Sequence, residues 1–258
     1  MKVVFIGAGN VATHLSMAMK NAGFSVRQIF SRSENSAKTL AEELNSNYTT
    51  DTKAIISDAD IYVFSLKDDA LPEIIAAIPS NNGLWLHTAG SVPMNIFHGY
   101  TTHYGVIYPM QTFSKQRKTD LSKVPFFIEG NTEETENKVN DIALTLSTHV
   151  TRMTSDKRRY LHLAAVFACN FSNHMYALAA QILEKQNIDW KILQPLIDET
   201  ANKLYAMKPE AAQTGPAIRY DRNVIERHLA MLEDNKTQEL YAMISDSIHA
   251  QFTKNKTT

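Results

Sequence analysis

The sequence predicts an α/β fold: an N-terminal, doubly wound Rossmann-type sheet followed by an all-helical C-terminal domain. Three observations carry this. Short apolar runs alternate with amphipathic helical patterns through the first half of the chain. A Gly-Ala-Gly turn stands between the first run and the first helix. From Ser155 onward the strand signals vanish and helical patterns alone remain.

Val3 to Ile6 is a continuous apolar run, the mark of a strand buried on both faces. After Gly7-Ala8-Gly9-Asn10, the positions Val11, Leu15, Ala18 and Met19 fall on one helix face, and Gly23 stops that helix. Phe24 to Phe30 reads as the second strand and Asn35 to Leu44 as the second helix. Asp60 to Ser65 is another buried strand. Leu71 to Ile78 is helical, with Pro72 tolerated in its first turn, and Leu84 to His87 is the next strand. Gly105 to Met110 and Pro125 to Glu129 read as further strands. Glu133 to Ser147 is a helix whose acidic first turn suits the macrodipole. Helices follow at about 155–186, 189–207, 222–233 and 235–252, and the tail from Thr253 is polar and expected to fray. The expected division is 1–152 for a nucleotide-binding domain and 153–258 for a helical domain.

Composition narrows the class. The 258 residues are 44% hydrophobic and 21% charged with a net charge of -1, which excludes disorder as the main state and gives no electrostatic footprint for nucleic acid. The single cysteine, Cys169, excludes an intrachain disulfide and fits a reducing cytoplasm. The first apolar run is too short for a signal peptide. The most apolar stretch, Leu161 to Leu183, is interrupted by His162, Asn170, Ser172, Asn173 and His174, so no membrane span is expected. The histidines form no His-Glu-x-x-His pair, and no metal is assigned.

Gly7-Ala8-Gly9-Asn10-Val11-Ala12 is G-x-G-x-x-A between a strand and a helix. Gly7 permits the tight turn, Gly9 lets a diphosphate approach the backbone, and Ala12 lets helix and strand pack closely. Free N–H groups at the helix start then face the phosphates. At the end of the second strand an NAD site needs a carboxylate for the ribose hydroxyls. Ser31-Arg32-Ser33 stands there instead, offering a guanidinium and two hydroxyls to a 2'-phosphate, so NADP is favoured. Glu34 lies close enough to keep NAD open. The ends of two more strands face the same crevice. Ser65 and Leu66 close one, with Asp68 or Asp69 as a helix cap. Thr88 and Gly90 follow His87, which reads equally well as a core histidine.

Read together, these residues resemble the Rossmann domains of the superfamily of pyrroline-5-carboxylate reductase, 6-phosphogluconate and 3-hydroxyacid dehydrogenases and F420-dependent NADP oxidoreductases. Three later stretches are similar to the C-terminal domain of unknown function 2520. They are His162-Leu163-Ala164-Ala165-Val166-Phe167-Ala168-Cys169-Asn170, Gln194-Pro195-Leu196-Ile197, and Thr214-Gly215-Pro216-Ala217-Ile218-Arg219-Tyr220-Asp221 with His228 beyond. The resemblance spans roughly residues 2 to 250. Two positions depart from it: the family often carries Gly where Tyr220 stands, and His before Pro where Tyr108 precedes Pro109.

The resemblance implies an NADP oxidoreductase, a homodimer through the helical domain, and a proton-exchanging group on the long helix after Ser155. His162 and Asn170 occupy that helix, and their spacing turns them about 80° apart and about 12 Å along an α-helix, on one broad face. His162 is the candidate acid or base and Asn170 the group that orients a carbonyl. The alternatives are a half-buried helix-start histidine and a structural asparagine. Arg219 is the candidate clamp for a substrate carboxylate, in a stretch expected to be a loop because of Gly215-Pro216. Otherwise Arg219 pairs with Asp221 to shape a turn and cap the next helix. The function expected is hydride transfer to or from a small polar carbonyl, imine or hydroxy acid. A non-catalytic NADP-binding regulator or scaffold, or a Rossmann enzyme using another nucleotide, remains open.

Overall fold

The computed structural model describes residues 1–254 and contains two compact units, Met1–Met175 and the part beginning at Tyr176. The first unit is built on an eight-stranded sheet of order β3-β2-β1-β4-β5-β6-β7-β8. Its strands are β1 (Lys2–Ile6), β2 (Ser25–Phe30), β3 (Asn47–Thr49), β4 (Ile61–Phe64), β5 (Leu84–His87), β6 (Tyr104–Pro109), β7 (Phe126–Gly130) and β8 (Val150–Arg152). The first six in that spatial order, β3 to β6, run parallel as doubly wound sheets require, but β7 is antiparallel to β6. Its partner β8 is parallel to β7. The chain turns back between β6 and β7 through the segment 110–125 and not through a crossover helix.

The central strand explains the apolar run. Val3 and Phe5 face one layer, where Ala12, Leu15 and Met19 of α1 (Asn10–Asn21) pack with Leu40 of α2 (Glu34–Leu44) and Val139 of α4 (Glu133–Leu144). Val4 and Ile6 face the other, where Tyr62, Phe64, Trp85 and Phe97 meet Ile74 and Ile75 of α3 (Leu71–Ala77). Successive side chains alternate between the faces, so a strand covered on both must be apolar throughout. Ser33 caps α2 by accepting from the Ser36 N–H, and Thr132 caps α4 in the same way through Thr135.

The expected helix at 155–186 is three pieces: α5 (Ser155–Ala165), a π-helical segment over Val166–Phe171, and α6 (Ser172–Glu184). The sheet-bearing unit runs past residue 152 because α5 is tied to β7. Arg158 is fully buried and pairs with Glu129 at 2.8 Å. It also donates to the Val92 carbonyl at 2.6 Å. Glu129 in turn accepts from the Ser155 N–H at 2.9 Å and from its hydroxyl at 2.6 Å, satisfying the open start of the helix.

The second unit carries α7 (Gln194–Asn202), α8 (Pro209–Ala212), α9 (Pro216–Arg219), α10 (Arg222–Met231) and α11 (Asn235–Lys254). Lys185 pairs with Glu233, and Gln238 donates to the Leu229 and Leu232 carbonyls, joining α11 to the end of α10. The helix reaches Lys254, and the rest of the expected frayed tail lies outside the described residues. No helix among the described residues is long and apolar enough to cross a membrane.

Candidate cofactor and reaction site

The turn after β1 has the geometry its glycines predict. Gly7 has φ +123°, and a β-carbon there would lie 2.2 Å from the Ser65 carbonyl oxygen, so no other residue fits between the ends of β1 and β4. Gly9 is the N-cap of α1 and no side chain caps the helix start. A β-carbon at Gly9 would meet nothing within 4 Å. Open space over uncapped N–H groups at a helix N-terminus fits a diphosphate. Ala8 and Ala12 are buried, Val11 is half-buried, and the exposed Asn10 donates to the Phe113 carbonyl at 2.8 Å. Asn10 therefore ties the turn to the segment after β6.

At the end of β2, Ser31 Oγ accepts from the Ser33 N–H at 3.2 Å and Ser33 Oγ caps α2, which folds the three residues into a compact turn. Arg32 is exposed and has no ion pair among the described residues. Its guanidinium is available to an anion.

The ends of β4 and β5 are stitched together. Thr88 Oγ1 donates to Ser65 Oγ at 3.2 Å, and Ser91 Oγ donates to the Asp68 carboxylate. Neither Asp68 nor Asp69 caps α3, contrary to the sequence expectation, because a 3-10 turn over Asp68–Ala70 precedes the helix and Ala70 holds the cap position. Leu66 is half-buried beside this turn. His87 is a core histidine with no exposed surface. Its Nδ1 accepts from the Ala89 N–H at 3.2 Å, while Nε2 has no partner among the described residues. Burial first, and the Arg158 charge second, push it down to about 3, so the ring is neutral in the folded protein.

Beyond Thr88 the backbone passes under α5. A β-carbon at Gly90 would lie 2.5 Å from His162 Nδ1, so the imidazole rests directly on this glycine. His162 Nδ1 is 3.1 Å from the Tyr108 hydroxyl at the end of β6. Gly7, Ser65, Thr88, Gly90, His162 and Tyr108 thus form one row of neighbours along the carboxyl ends of the parallel strands. The row ends at a cavity of about 570 Å³ lined by Tyr108, Gln111, Thr112, His162, Cys169 and Asn170, with Met110, Phe113, Leu161 and three alanines completing its wall.

His162 and Asn170 therefore line one cavity, but the sequence argument for Asn170 needs correction. Asn170, Asn173 and His174 are exposed. The helix between His162 and Asn170 also contains the π segment, whose wider turn changes the angular spacing computed for a regular α-helix. Sequence reasoning missed Tyr108 as a site residue, although its departure from the family pattern was a signal. It also missed Gln111 and Thr112, which no motif marks. The Glu129–Arg158 pair, which seats α5, is equally silent in the sequence.

Arg219 lies in the second unit, at the end of α9. Gly215-Pro216 starts this helical turn where the sequence suggested a loop, because proline is accommodated at the first helical position. Arg219 is exposed and makes no ion pair with Asp221 among the described residues. Asp221 instead caps α10 by accepting from the Val224 N–H. Tyr220 adopts φ +52° and stacks on His249 at 4.4 Å between ring centroids.

Residues 2–85 match the family described as NADP oxidoreductase, coenzyme F420-dependent, and residues 124–248 match the domain of unknown function 2520. A Bacteroides fragilis protein provisionally named an NADP oxidoreductase has a crystal structure with 50% identity and a TM-score of 0.91, over 96% of this chain and 98% of that one. A Thermotoga maritima protein shares the fold at 22% identity and a TM-score of 0.76, over 96% and 98% of the two chains. So does a reductive aminase from Aspergillus terreus, solved with NADPH and ethyl levulinate, at 14% identity and a TM-score of 0.74, over 98% and 94%. No curated protein matches the chain.

Proposed function

The chain belongs to the family of NADP oxidoreductases that the Bacteroides fragilis protein represents, and on that premise we propose that it transfers a hydride between NADP(H) and a small polar carbonyl, imine or hydroxy acid. The observation that carries this reading is the unbroken row from the Gly7–Val11 turn through Ser65, Thr88 and Gly90 to His162 and its cavity. A nicotinamide nucleotide fixed at one end of the row has its reactive ring at the other.

Each residue has a task in this reading. The turn of Gly7, Ala8, Gly9, Asn10 and Val11 holds the diphosphate at the start of α1. Ser31, Arg32 and Ser33 hold the 2'-phosphate, while Ser65, Leu66 and Thr88 border the nicotinamide ribose. The bound cofactor supplies or accepts the hydride. His162 takes part in moving the proton that accompanies it, Asn170 orients the substrate heteroatom, and Arg219 clamps a carboxylate where the substrate has one. Residues 1–152 then serve the cofactor and 153–258 the substrate and assembly.

The same reading includes a homodimer in the cytoplasm. The helices α6, α7 and α10 bury no residue in the single chain. Large apolar groups among the helices are widely exposed, with Tyr205 at 92%, Met231 at 77% and Ile192 at 70%. A second copy is the simplest cover for such a surface.

The experiment is a calorimetric titration with NADPH and NADH, followed by NADPH oxidation assays over a panel of carbonyls, imines and keto acids. Tight NADPH binding with turnover of one class supports the enzyme. Binding with no turnover of any class turns the reading toward a cofactor-binding regulator.

A further inference from the structure

Resting on the reading just given, we infer that Tyr108 is the group that hands the proton to the substrate, and that His162 is the positioning partner that holds and recharges it. Tyr108 is the last but one residue of β6, at the strand edge where ligands meet a parallel sheet. Its side chain lines the same cavity as Asn170, Gln111 and Thr112. Only Tyr108, His162 and Cys169 among the lining residues carry a titratable proton. The imidazole is wedged on Gly90, and its Nδ1 edge is engaged by the phenol at 3.1 Å. A proton leaving that nitrogen therefore passes through the phenol oxygen. Cys169 is exposed, and its thiol has no hydrogen bond to Tyr108 or His162 among the described residues.

The charges around the phenol fit the role. Tyr108 faces His162 and the more distant Arg158 on α5, and Cys169 on the π segment. Burial raises the phenol above its ordinary range, Arg158 acts in the opposite direction, and Cys169 raises it further. Tyr108 thus stays protonated at neutral pH and is ready to donate.

The step balances as follows. Hydride from the reduced nicotinamide adds to the carbon of a C=N or C=O bond, and the π pair moves to the heteroatom. That pair forms a bond to the phenol proton as the Tyr108 O–H bond breaks. His162, holding a proton on Nδ1, returns it to the phenolate as its Nε2 takes one from solvent, and exchange with solvent restores the Nδ1–H form. The substrate gains two electrons and two hydrogens, and the nicotinamide is oxidised.

The arrangement requires His162 to donate at Nδ1, so that the Tyr108 hydroxyl is free to point into the cavity. Nitrogen-15 shifts of the cofactor-free protein, at a pH where the ring is neutral, test this directly. The expected result is an Nδ1–H tautomer in the native protein and a return to the Nε2–H form in Tyr108→Phe. An Nε2–H tautomer in the native protein overturns the inference, because the phenol proton is then committed to the imidazole. In turnover, Tyr108→Phe should lower kcat by about 100-fold or more and leave NADPH affinity within about 2-fold, the scale of general acid catalysis. A native-like kcat in the folded variant overturns the inference while leaving the oxidoreductase reading intact. Failure of the native protein to bind NADPH overturns that reading, and the tautomer still decides the Tyr108–His162 relationship.

Discussion

Gly90 is the seat of His162: a β-carbon at residue 90 would lie 2.5 Å from Nδ1, 2.7 Å from Cγ and 2.9 Å from Cβ of the histidine. The short approach to Cβ matters most, because rotating the ring cannot relieve it. Gly90→Ala is expected to push α5 outward and separate His162 from Tyr108. Overpacking of this kind costs about 1–3 kcal/mol, measurable in urea denaturation. Turnover should fall while NADPH affinity holds, since the phosphate turn is untouched. Unchanged stability together with unchanged turnover contradicts the proposed seat.

Gly9 offers the opposite case. Its added β-carbon meets no protein atom within 4 Å. Gly9→Val should therefore fold with a native circular dichroism spectrum and lose NADPH binding, because the isopropyl group fills the space proposed for the diphosphate. Retained affinity in the folded variant places the nucleotide elsewhere.

Arg32 tests the choice of cofactor. It is exposed and unpaired among the described residues, so removing it disturbs no structure. Arg32→Ala should weaken NADPH by roughly 10- to 150-fold, the equivalent of about 1.5–3 kcal/mol for a charge-assisted contact, and leave NADH unchanged. Equal affinity of the native protein for both cofactors removes the basis for this assignment.

These three residues also mark the limit of what could be read from sequence. The glycine turn was legible because each position has a single physical duty, and Val3 to Ile6 was legible because a strand buried on both faces has to be apolar. The strands β3 and β8 were not, since three-residue strands such as Asn47–Thr49 and Val150–Arg152 carry too short and too polar a pattern. The contacts that build the cavity depend on topology. Glu129 and Arg158 meet only because α5 packs on β7, and Tyr108 reaches His162 across 54 residues of chain. The π segment changes a hydrogen-bond register, which composition does not encode.

The exposed helical surface predicts association. Met231 and Met243 are 77% and 67% exposed in the single chain. Light scattering at micromolar concentration should give twice the chain mass. Met231→Glu combined with Met243→Glu should shift the protein toward monomer by placing charges in an apolar contact. A monomer mass for the native protein rules out the dimer.

His87 predicts how stability responds to acid. In the unfolded chain its imidazole takes up a proton below about pH 6.5. In the folded chain burial and the Arg158 charge defer this to about 3. Between those values the unfolded state binds more protons, so stability falls as pH falls, with a slope approaching about 1.4 kcal/mol per unit. Above pH 6.5 both states are neutral at this site and the contribution is flat. Lowering the pH from 7 to 5 should therefore cost about 2 kcal/mol through this one residue. His87→Asn keeps an acceptor for the Ala89 N–H and removes the titration. Urea denaturation of both proteins across this range should show the native chain losing more stability than the variant, with the difference growing steadily below pH 6.5. Parallel pH profiles mean that the ring is already accessible to protons in the folded state and that the sealed environment assigned to His87 is wrong.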